Sequence, residues 1–293
     1  MITVFTPTYN RAHTLGKVFE SLKRQTYKDF EWLIIDDGST DSTKDTVEGF
    51  KKERAGFDIE YLYEQNGGKH TAMNAAGDMA RGELLVICDS DDWLMDDALE
   101  KIMSRYADVK DDGKIAGIIG RCTVENREKF FKDKQSDFDF KDLPYHLKEK
   151  RGIYGESTFA FKTDIFKKYK FPEIKGERYL PESVQLNMMA MDGYVFRFVS
   201  EILKRGVYLE DGLTYDYTKI NHDNPKGYAL WRIQEAKLCA DTVSNLARVY
   251  NDYRVEMIYR YSEKEIARFL KIPYIYLKMI KLFYKLKKKK SKK

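Results

Sequence analysis

The stretch LLVICDSDD (residues 84–92) decides how the rest of this chain is interpreted. Its five apolar residues predict a buried strand, and three carboxylates follow that strand almost at once. In an extended backbone the side chains of Asp89 and Asp91 point to the same side, where they repel each other unless a cation neutralises them. Oxygen ligands at a strand end suit Mg²⁺ or Mn²⁺ bound together with a phosphate-bearing ligand. The alternative is a solvated acidic turn, which the neighbouring sequence disfavours.

Strands alternate with helices through the first half of the chain. The pattern predicts strands at 2–6, 32–35, 59–63 and 84–88, and helices at 15–25, 40–54, 71–80 and 96–106. This alternation is typical of βαβ units and a mainly parallel sheet. Ligands bind at the carboxyl ends of such strands, and polar clusters follow all four of them, at 8–11, 36–37, 66–69 and 89–92.

The second half is less regular. A strand is predicted over 115–124, and the charged residues 125–150 are interpreted as a loop or insertion near the acceptor side. Further on, the pattern predicts strands at 157–162 and 194–199, helices at 163–169 and 182–192, and one long amphipathic helix over 226–250.

Composition narrows the class of protein. With 293 residues, 43% hydrophobic and 14% aromatic, the chain is expected to be globular, and no run of 18 apolar residues predicts a membrane span. No apolar signal segment is expected at the N-terminus, and three cysteines without metal-type spacing favour a reducing, cytoplasmic location. Ten lysines and no acid lie in 271–293, so the rest of the chain carries a net charge of −5, which argues against nucleic-acid binding.

Six motifs, taken in order, resemble family 2 glycosyltransferases. They are TPTYNR at 6–11, QTYKDFE at 25–31, IIDDGSTD at 34–41, NGGKHTAMN at 66–74, ARGE at 80–83 and DSDD at 89–92. The resemblance is dense over residues 2–100, thinner over 150–225 and absent beyond 225. It implies an α/β fold of the GT-A type, with a Rossmann-like, mainly parallel sheet flanked by helices, and a sugar transfer that inverts the anomeric centre.

The resemblance also implies a nucleoside pocket. Pro7, Tyr9 and Arg11 would line it, with the Tyr9 ring near the base. Asp37 matches the carboxylate that binds the uracil of a UDP-sugar, with Asp36 beside it. A carboxylate accepts from the uracil N–H, which gives uridine a chemical basis. The alternative for both aspartates is a capped turn after a strand.

A second group of residues is expected at the diphosphate. Asp91 is the main expected ligand of Mn²⁺ or Mg²⁺, and Asp89 would contact the ribose, or the metal through water. Ser90 lies between them and is included in the donor site. Gly68 would let the backbone approach the ligand closely, and Lys69 would touch the phosphates. The alternatives are a plain turn at Gly68 and a solvated side chain at Lys69.

An inverting transfer needs a base to deprotonate the acceptor hydroxyl. The family supplies it from a Glu–Asp pair that starts a helix, and the matching residues here are Glu182 and Ser183. Glu182 is the expected base. Because Ser183 replaces the second acid, the base could also lie elsewhere, or the chain could be inactive. Pro181 offers a structural alternative, since an acid in a first helical turn is favourable in any case.

Two more residues are expected at the site. His222 follows a segment that resembles one folding over the diphosphate, and is expected to be a third metal ligand or a phosphate donor. Trp93 follows the acidic cluster and is expected at the acceptor, because aromatic rings stack on sugar faces. The alternative for His222 is a surface histidine in a polar loop, and the alternative for Trp93 is ordinary core packing.

The C-terminal tail is interpreted separately. Residues 272–286 predict a helix with Lys278, Lys281 and Lys285 on one face and apolar residues opposite. Such a helix is too short to span a bilayer but suits its surface, with the lysines of 287–293 reaching anionic headgroups. The alternative is a helix packed on the body with a frayed polar end.

These observations predict a GT-A domain over 1–225, with a donor half (1–105) and an acceptor half (106–225), followed by a helical extension over 226–293. The function predicted is transfer from a UDP-sugar to a lipid-linked or growing cell-surface glycan, on the inner face of the membrane. One alternative is a catalytically silent nucleotide-sugar-binding partner, which rests on Ser183. Another is a nucleotidyltransferase, disfavoured because a triphosphate loop is missing after the first strand.

Overall fold

Strands and helices alternate over the first half of the chain. The computed structural model describes residues 1–126, 138–209, 212, 217–240 and 242–290, with side chains to residue 286. The first elements are β1 (Ile2–Thr8), α1 (Leu15–Lys23), β2 (Phe30–Asp36), α2 (Thr43–Lys52), β3 (Asp58–Tyr63), α3 (Lys69–Met79) and β4 (Leu84–Ile87). All of them lie within a few residues of the predicted bounds.

The second half inserts short strands between longer ones. Its elements are β5 (Trp93–Leu94), α4 (Ala98–Ala107), β6 (Ile115–Val124), β7 (Phe140–Leu143), β8 (Glu156–Lys162), α5 (Thr163–Lys168), α6 (Ser183–Met191) and β9 (Val195–Gly206). Of the predicted loop over 125–150, residues 127–137 lie outside the described residues. The described remainder is more ordered than predicted, because β7 pairs with β9 and two 3-10 turns follow at 145–147 and 149–151.

The nine strands of the described residues form one sheet in the order β3-β2-β1-β4-β8-β6-β9-β5, with β7 also paired to β9. The four strands of the first half are mutually parallel, as the βαβ pattern predicts. Strand β8 is antiparallel to both β4 and β6, and β5 and β7 are antiparallel to β9. The predicted α/β class is confirmed, and the sheet as a whole is mixed.

Helices cover both faces of the sheet. Apolar residues of α1, α2 and α4 pack on one face around the buried ring of Trp32. Residues of α3, α5 and α6 pack on the other face around Phe161 and Phe166. With both faces covered, the carboxyl ends of β1, β2 and β4 share one edge, where polar side chains meet.

In the part of the chain that the structure describes, five helices follow the sheet: α7 (Tyr217–Asp223), α8 (Pro225–Cys239), α9 (Val243–Met257), α10 (Glu263–Phe269) and α11 (Tyr274–Lys290). The long helix predicted over 226–250 is two helices, because α9 has its own N-cap, in which the Thr242 side chain accepts from the Asn245 N–H. These helices enclose their own apolar cluster around Tyr253 and Met257. Helix α8 also joins the body, where the Gln234 amide donates to the Val184 carbonyl at 3.3 Å.

Gly68 marks a close approach between two distant parts of the chain. It precedes α3 with a φ of 101°, in the region that favours glycine. A Cβ on Gly68 would lie 1.9 Å from the Arg178 carbonyl oxygen. The absence of a side chain therefore lets the start of α3 lie against the segment that leads into α6.

We expect Gly68→Ala to lower the free energy of unfolding by about 2 kcal/mol or more, because it adds both a strained φ and a steric clash. Urea denaturation would measure the change. Gly16→Ala is the matched control, since no described atom lies within 4 Å of where its Cβ would stand and it is inside helix α1. That variant should be neutral, or more stable by up to ~1 kcal/mol. Equal effects at both positions would contradict the close approach.

Candidate active site

The loops that follow β1 and β2 at the carboxyl edge are joined by hydrogen bonds. Asn10, with a φ of 54°, donates its backbone N–H to Ser39 Oγ (2.7 Å), and its side-chain oxygen accepts from the Thr40 N–H (2.8 Å). Asparagine tolerates this left-handed conformation better than most residues. The preceding Tyr9 is 47% exposed, so the fastened loop presents an aromatic ring at the edge of the sheet.

The other two residues predicted in the nucleoside pocket lie on either side of this loop. Pro7 is buried within β1, and its place in the register is beside Ile35 of β2. The backbone N–H of Arg11 donates to Thr43 Oγ1 at 3.1 Å, which joins the loop to the start of α2.

Asp36 and Asp37 hold the surrounding loops. Asp36 is fully buried; it accepts from the Ser39 N–H at 2.7 Å and from the Tyr61 hydroxyl at 2.6 Å. Asp37 accepts from the N–H groups of Gly67 (2.6 Å) and Gly68 (2.8 Å). Burial raises the pKa of Asp37 despite these bonds. Asp36 has no surface open to a ligand. A nucleobase that donates to Asp37 has to share a carboxylate oxygen that already accepts from the backbone at the start of α3.

Lys69 joins the acidic cluster to the second half of the chain. Its ammonium lies 2.6 Å from Asp89 Oδ1 and 2.5 Å from Glu182 Oε1. Burial lowers the pKa of Lys69, but Asp89 and Glu182 more than offset this, and the net pKa is raised. The two carboxylates therefore favour the charged form of Lys69. The structure thus brings together Lys69, Asp89 and Glu182, three of the predicted site residues.

A second lysine, which the sequence analysis missed, neutralises the same cluster. Lys204 of β9 is buried, and its ammonium lies 2.5 Å from Asp92 Oδ2 and 3.9 Å from Asp89 Oδ2. Strand β5 places it there, because Leu94 pairs with Lys204 directly after the acidic residues. Burial works against the charged form of Lys204, and Asp92 and Asp89 reverse this, so its pKa is well above the usual value.

The pKa values of Asp89 and Asp91 are shifted in opposite directions. Burial works to raise the pKa of Asp89, but Lys69 and Lys204 lower it overall. Burial, and then repulsion from Asp89, raises the pKa of Asp91. Lys69 and Lys204 act against this rise without reversing it, so a further cation near Asp91 would be favourable.

The cluster suits a divalent cation that phosphate oxygens help to hold. Mg²⁺ and Mn²⁺ bind to one or two carboxylates plus substrate phosphates and water, and Asp91 and Asp89 are such a pair. The described residues contain no group of three His, Cys, Asp or Glu side chains arranged to hold a metal. His222 therefore does not complete a site with the two aspartates. Its ring Nε2 lies 2.9 Å from the Glu256 carbonyl oxygen instead, because α7 packs against α9.

The segment that carries Glu182 is held from both sides. Gly68 lies against the Arg178 carbonyl on one side. On the other side, Asn224 Oδ1 accepts from the Arg178 N–H (2.8 Å) and the Tyr179 N–H (3.1 Å). Glu177 accepts from the backbone at the start of α8, at 2.7 Å from the Gly227 N–H. Glu182 itself precedes the first residue of α6, as the sequence predicts within one residue.

Ser90 and Trp93 complete the predicted residues. Ser90 is buried within the acidic turn. Trp93 is partly buried in β5, and the Lys17 ammonium of α1 lies 5.1 Å from the centre of its ring. Its contact with Lys17 resembles a cation–π pair, so one ring face is already used within the protein.

Comparison with protein families and curated relatives gives matches in the same region. A family model described as glycosyl transferase family 2 matches residues 3–170. A GalNAc(5)-diNAcBac-PP-undecaprenol beta-1,3-glucosyltransferase of Campylobacter jejuni is 30% identical over 183 residues, 59% of this chain and 55% of the relative. A poly(ribitol-phosphate) beta-glucosyltransferase of Bacillus spizizenii is 30% identical over 48% of this chain and 23% of the relative. The chain thus spans about half the length, or less, of these curated relatives.

Solved structures share the fold. TarS 1-349 of S. aureus in complex with UDP matches 87% of this chain and 72% of its own, with a TM-score of 0.55 and 20% identity. The mannosyltransferase PcManGT of Pyrobaculum calidifontis, in complex with GDP-Man and Mn²⁺, matches 86% of this chain and 63% of its own, with a TM-score of 0.52 and 23% identity.

We expect Lys204→Met to lower the free energy of unfolding by about 3 kcal/mol, because it leaves buried Asp92 without its ammonium partner. The double variant Lys204→Met/Asp92→Asn should recover part of this loss. Urea denaturation of the two single variants and the double variant would give the coupling. Lys101→Met is the control, since it breaks an exposed pair with Asp97 and should cost less than ~1 kcal/mol. No recovery in the double variant would contradict the pairing.

Proposed function

Because the chain belongs to glycosyl transferase family 2, as its six motifs predict, we propose that it transfers a sugar from a nucleotide-sugar to an acceptor hydroxyl with inversion of the anomeric centre. One observation carries the proposal: Lys69 joins Asp89, at the predicted donor end, to Glu182, from the acceptor half. Through this contact the candidate base and the candidate diphosphate site lie on either side of one ammonium group.

The donor we propose is a UDP-sugar. The exposed ring of Tyr9 offers a surface on which a base can stack, and Asp37 supplies carboxylate oxygens that accept from the uracil N–H. Two relatives in fold support a nucleoside-diphosphate sugar in general, since TarS was solved with UDP and with UDP-GlcNAc, and PcManGT with GDP-Man. Binding of GDP in preference to UDP would contradict this choice and indicate a GDP-sugar as the donor.

In the proposed step, the acceptor oxygen attacks the anomeric carbon from the side opposite the leaving group. A new carbon–oxygen bond forms there as the bond from the anomeric carbon to the phosphate oxygen breaks. The nucleoside diphosphate departs with that electron pair, and the acceptor proton passes to a Glu182 carboxylate oxygen. Lys69 remains beside the departing phosphates as a donor of charge-assisted hydrogen bonds.

Asp91 and Asp89 are the residues that would hold a divalent cation, Mn²⁺ or Mg²⁺. Such a cation neutralises the charge that grows on the leaving diphosphate. PcManGT, solved with Mn²⁺, supports this assignment by its shared fold. His222 is not part of the proposed set, because its ring is turned towards Glu256.

We place the acceptor among cell-surface glycans and lipid-linked sugars. The named substrates of the Campylobacter jejuni and Bacillus spizizenii relatives, an undecaprenol-linked glycan and poly(ribitol phosphate), support this class. Ring stacking by Trp93 on the acceptor remains part of the proposal, with the ring face that Lys17 leaves open.

Helix α11 is the part of the chain proposed to lie on a membrane surface. Leu277 is buried in the apolar cluster of the helical extension, and Lys281 pairs with Glu263 of α10 at 2.7 Å, so one face of the helix is docked. The face turned away from the body is apolar, with exposures between 44% and 60% at Ile275, Tyr276, Met279, Leu282, Phe283 and Leu286.

Lysines flank this apolar face. Lys278 and Lys285 lie beside it on the helix, and side chains from residue 287 onward lie outside the described residues. An exposed apolar stripe bordered by lysines is the arrangement that binds an anionic bilayer surface. Within the part of the chain that the structure covers, no helix is long and apolar enough to span a membrane. One face of α11 is thus packed on the extension, and we propose that the other face lies on the membrane surface.

The second candidate function is a silent donor-binding partner, which Ser183 favours because it replaces an expected acid. Other acids near Glu182 are engaged within the fold. Glu177 accepts from the start of α8, and Asp192 accepts from the Tyr169 hydroxyl at 2.7 Å. Asp216 lies outside the described residues. Glu182 is therefore the residue that we propose as the base.

We expect Glu182→Gln to lower sugar transfer from a UDP-sugar about 10²-fold or more, because the amide keeps the size of the side chain but cannot take up the acceptor proton. UDP binding, measured by calorimetry, should not weaken. Glu173→Gln is the matched control, an exposed carboxylate on the same segment, and should transfer at the original rate. Donor binding without transfer or hydrolysis by the unmodified protein would favour the silent partner.

We expect the triple substitution Met279→Gln, Leu282→Gln and Phe283→Gln to weaken binding to anionic vesicles about tenfold or more, because it removes apolar surface that enters the interface. Vesicle sedimentation at low and high salt would measure it. Truncation after Arg268 is a poorer test, since it also removes Leu270 and Leu277 from the apolar cluster of the extension.

Met79→Gln is the control for this experiment, because it changes an exposed methionine on α3 and should leave vesicle binding unchanged. UDP binding should be retained in both proteins. If the unmodified chain does not bind anionic vesicles at low salt, the tail is structural and the membrane proposal is wrong.

A further inference from the structure

In the function proposed above, the Lys69 ammonium has two roles: it pairs with carboxylates of the site, and it contacts the donor diphosphate. Its ammonium lies between Asp89 and Glu182, at 2.6 Å and 2.5 Å, and its side chain is 21% exposed. The same ammonium is the group proposed to contact the donor diphosphate. A lysine has three N–H donors on a flexible stem, so it can exchange one acceptor for another by rotating its side chain.

The second lysine of the cluster is not free to make such an exchange. Lys204 is buried on β9, between β6 and β5, and its side chain is 6% exposed while it pairs with Asp92 at 2.5 Å. Lys69, in contrast, is the first residue of α3 and reaches the cluster from the edge of the sheet. One ammonium is thus fixed, and the other lies where a ligand can compete for it.

We propose that Lys69 is an exchangeable counter-ion that couples donor binding to release of the base. This rests on the proposed function. While Lys69 bridges Asp89 and Glu182, it occupies carboxylate oxygens that a divalent cation or an acceptor hydroxyl would use. When a diphosphate enters, its oxygens compete for the ammonium, Lys69 turns towards them, and Glu182 becomes available to the acceptor hydroxyl. Lys69 is in this sense a positioning residue for Glu182.

The proposal predicts two effects of opposite sign. Without the Lys69 charge, a cation alone should bind more tightly, because no ammonium has to be displaced from Asp89. A diphosphate should bind more weakly, because it loses a charge-assisted donor. A purely structural lysine would weaken both kinds of binding, and a solvated one would change neither.

The experiment compares Lys69→Met with the unmodified chain in two titrations. Mn²⁺ binding without nucleotide is measured by the electron paramagnetic resonance signal of free Mn²⁺. UDP binding at saturating Mn²⁺ is measured by calorimetry. We expect Mn²⁺ affinity to rise and UDP affinity to fall, each about tenfold or more, since one unit charge is removed within contact distance. Lys170→Met, which breaks an exposed pair between Asp78 of α3 and Lys170, should change neither.

Shifts of the same sign, or an unchanged Mn²⁺ affinity, would overturn the exchange. If the unmodified chain binds no UDP, the proposed function fails instead, so the two failures are distinguishable. Glu182→Gln covers the case in which Lys69→Met does not fold. With one partner lost, Lys69 should leave more easily, and UDP should bind about threefold tighter or more. Unchanged or weaker UDP binding in that variant would also overturn the proposal.

Discussion

Repulsion between carboxylates is the constraint on which this site depends. The turn after β4 and the start of α6 bring four carboxyl groups to one edge of the sheet, those of Asp89, Asp91, Asp92 and Glu182. Two ammonium groups, from α3 and β9, make that arrangement stable. The pairing of these charges also requires close packing of the backbone around them. A Cβ at Gly206, beside Lys204 on β9, would lie 1.9 Å from Asp92 Oδ1, so a glycine there makes room for the ion pair.

The first half of the fold, and the meeting of its polar clusters at one edge of the sheet, were predictable from the sequence, because both depend on local patterns. Apolar runs followed by polar clusters gave β1 to β4 and placed the clusters at one edge. The start of α6 was also predictable, since Pro181 and Glu182 mark a helix N-terminus. The hydrogen bonds of Asp36 were not, because Tyr61, which holds it, lies on a neighbouring strand and carries no motif.

Three features were missed, and the first and third of them depend on contacts between distant residues. Strand β8 enters the sheet between β4 and β6, and nothing local in its sequence specifies an antiparallel direction. The break between α8 and α9 follows from the cap at Thr242. Lys204 was hidden by a bulge in β9: Ile202 pairs with Arg121 and Lys204 with Cys122, so Leu203 is extra and both Leu203 and Lys204 are buried. Strict alternation would have exposed one of them.

The order of strands in the sheet also bears on how the chain folds as it is synthesised. Strands β1 to β4 pair among themselves, so residues 1–87 already hold a complete parallel half. The free side of β4 gains its partner only when residues 160–162 of β8 are made, more than 70 residues later. During that interval a nascent chain presents an apolar, unpaired strand edge, which is the kind of surface that associates with other chains. Assembly of the second half therefore protects the first half as well as completing the site.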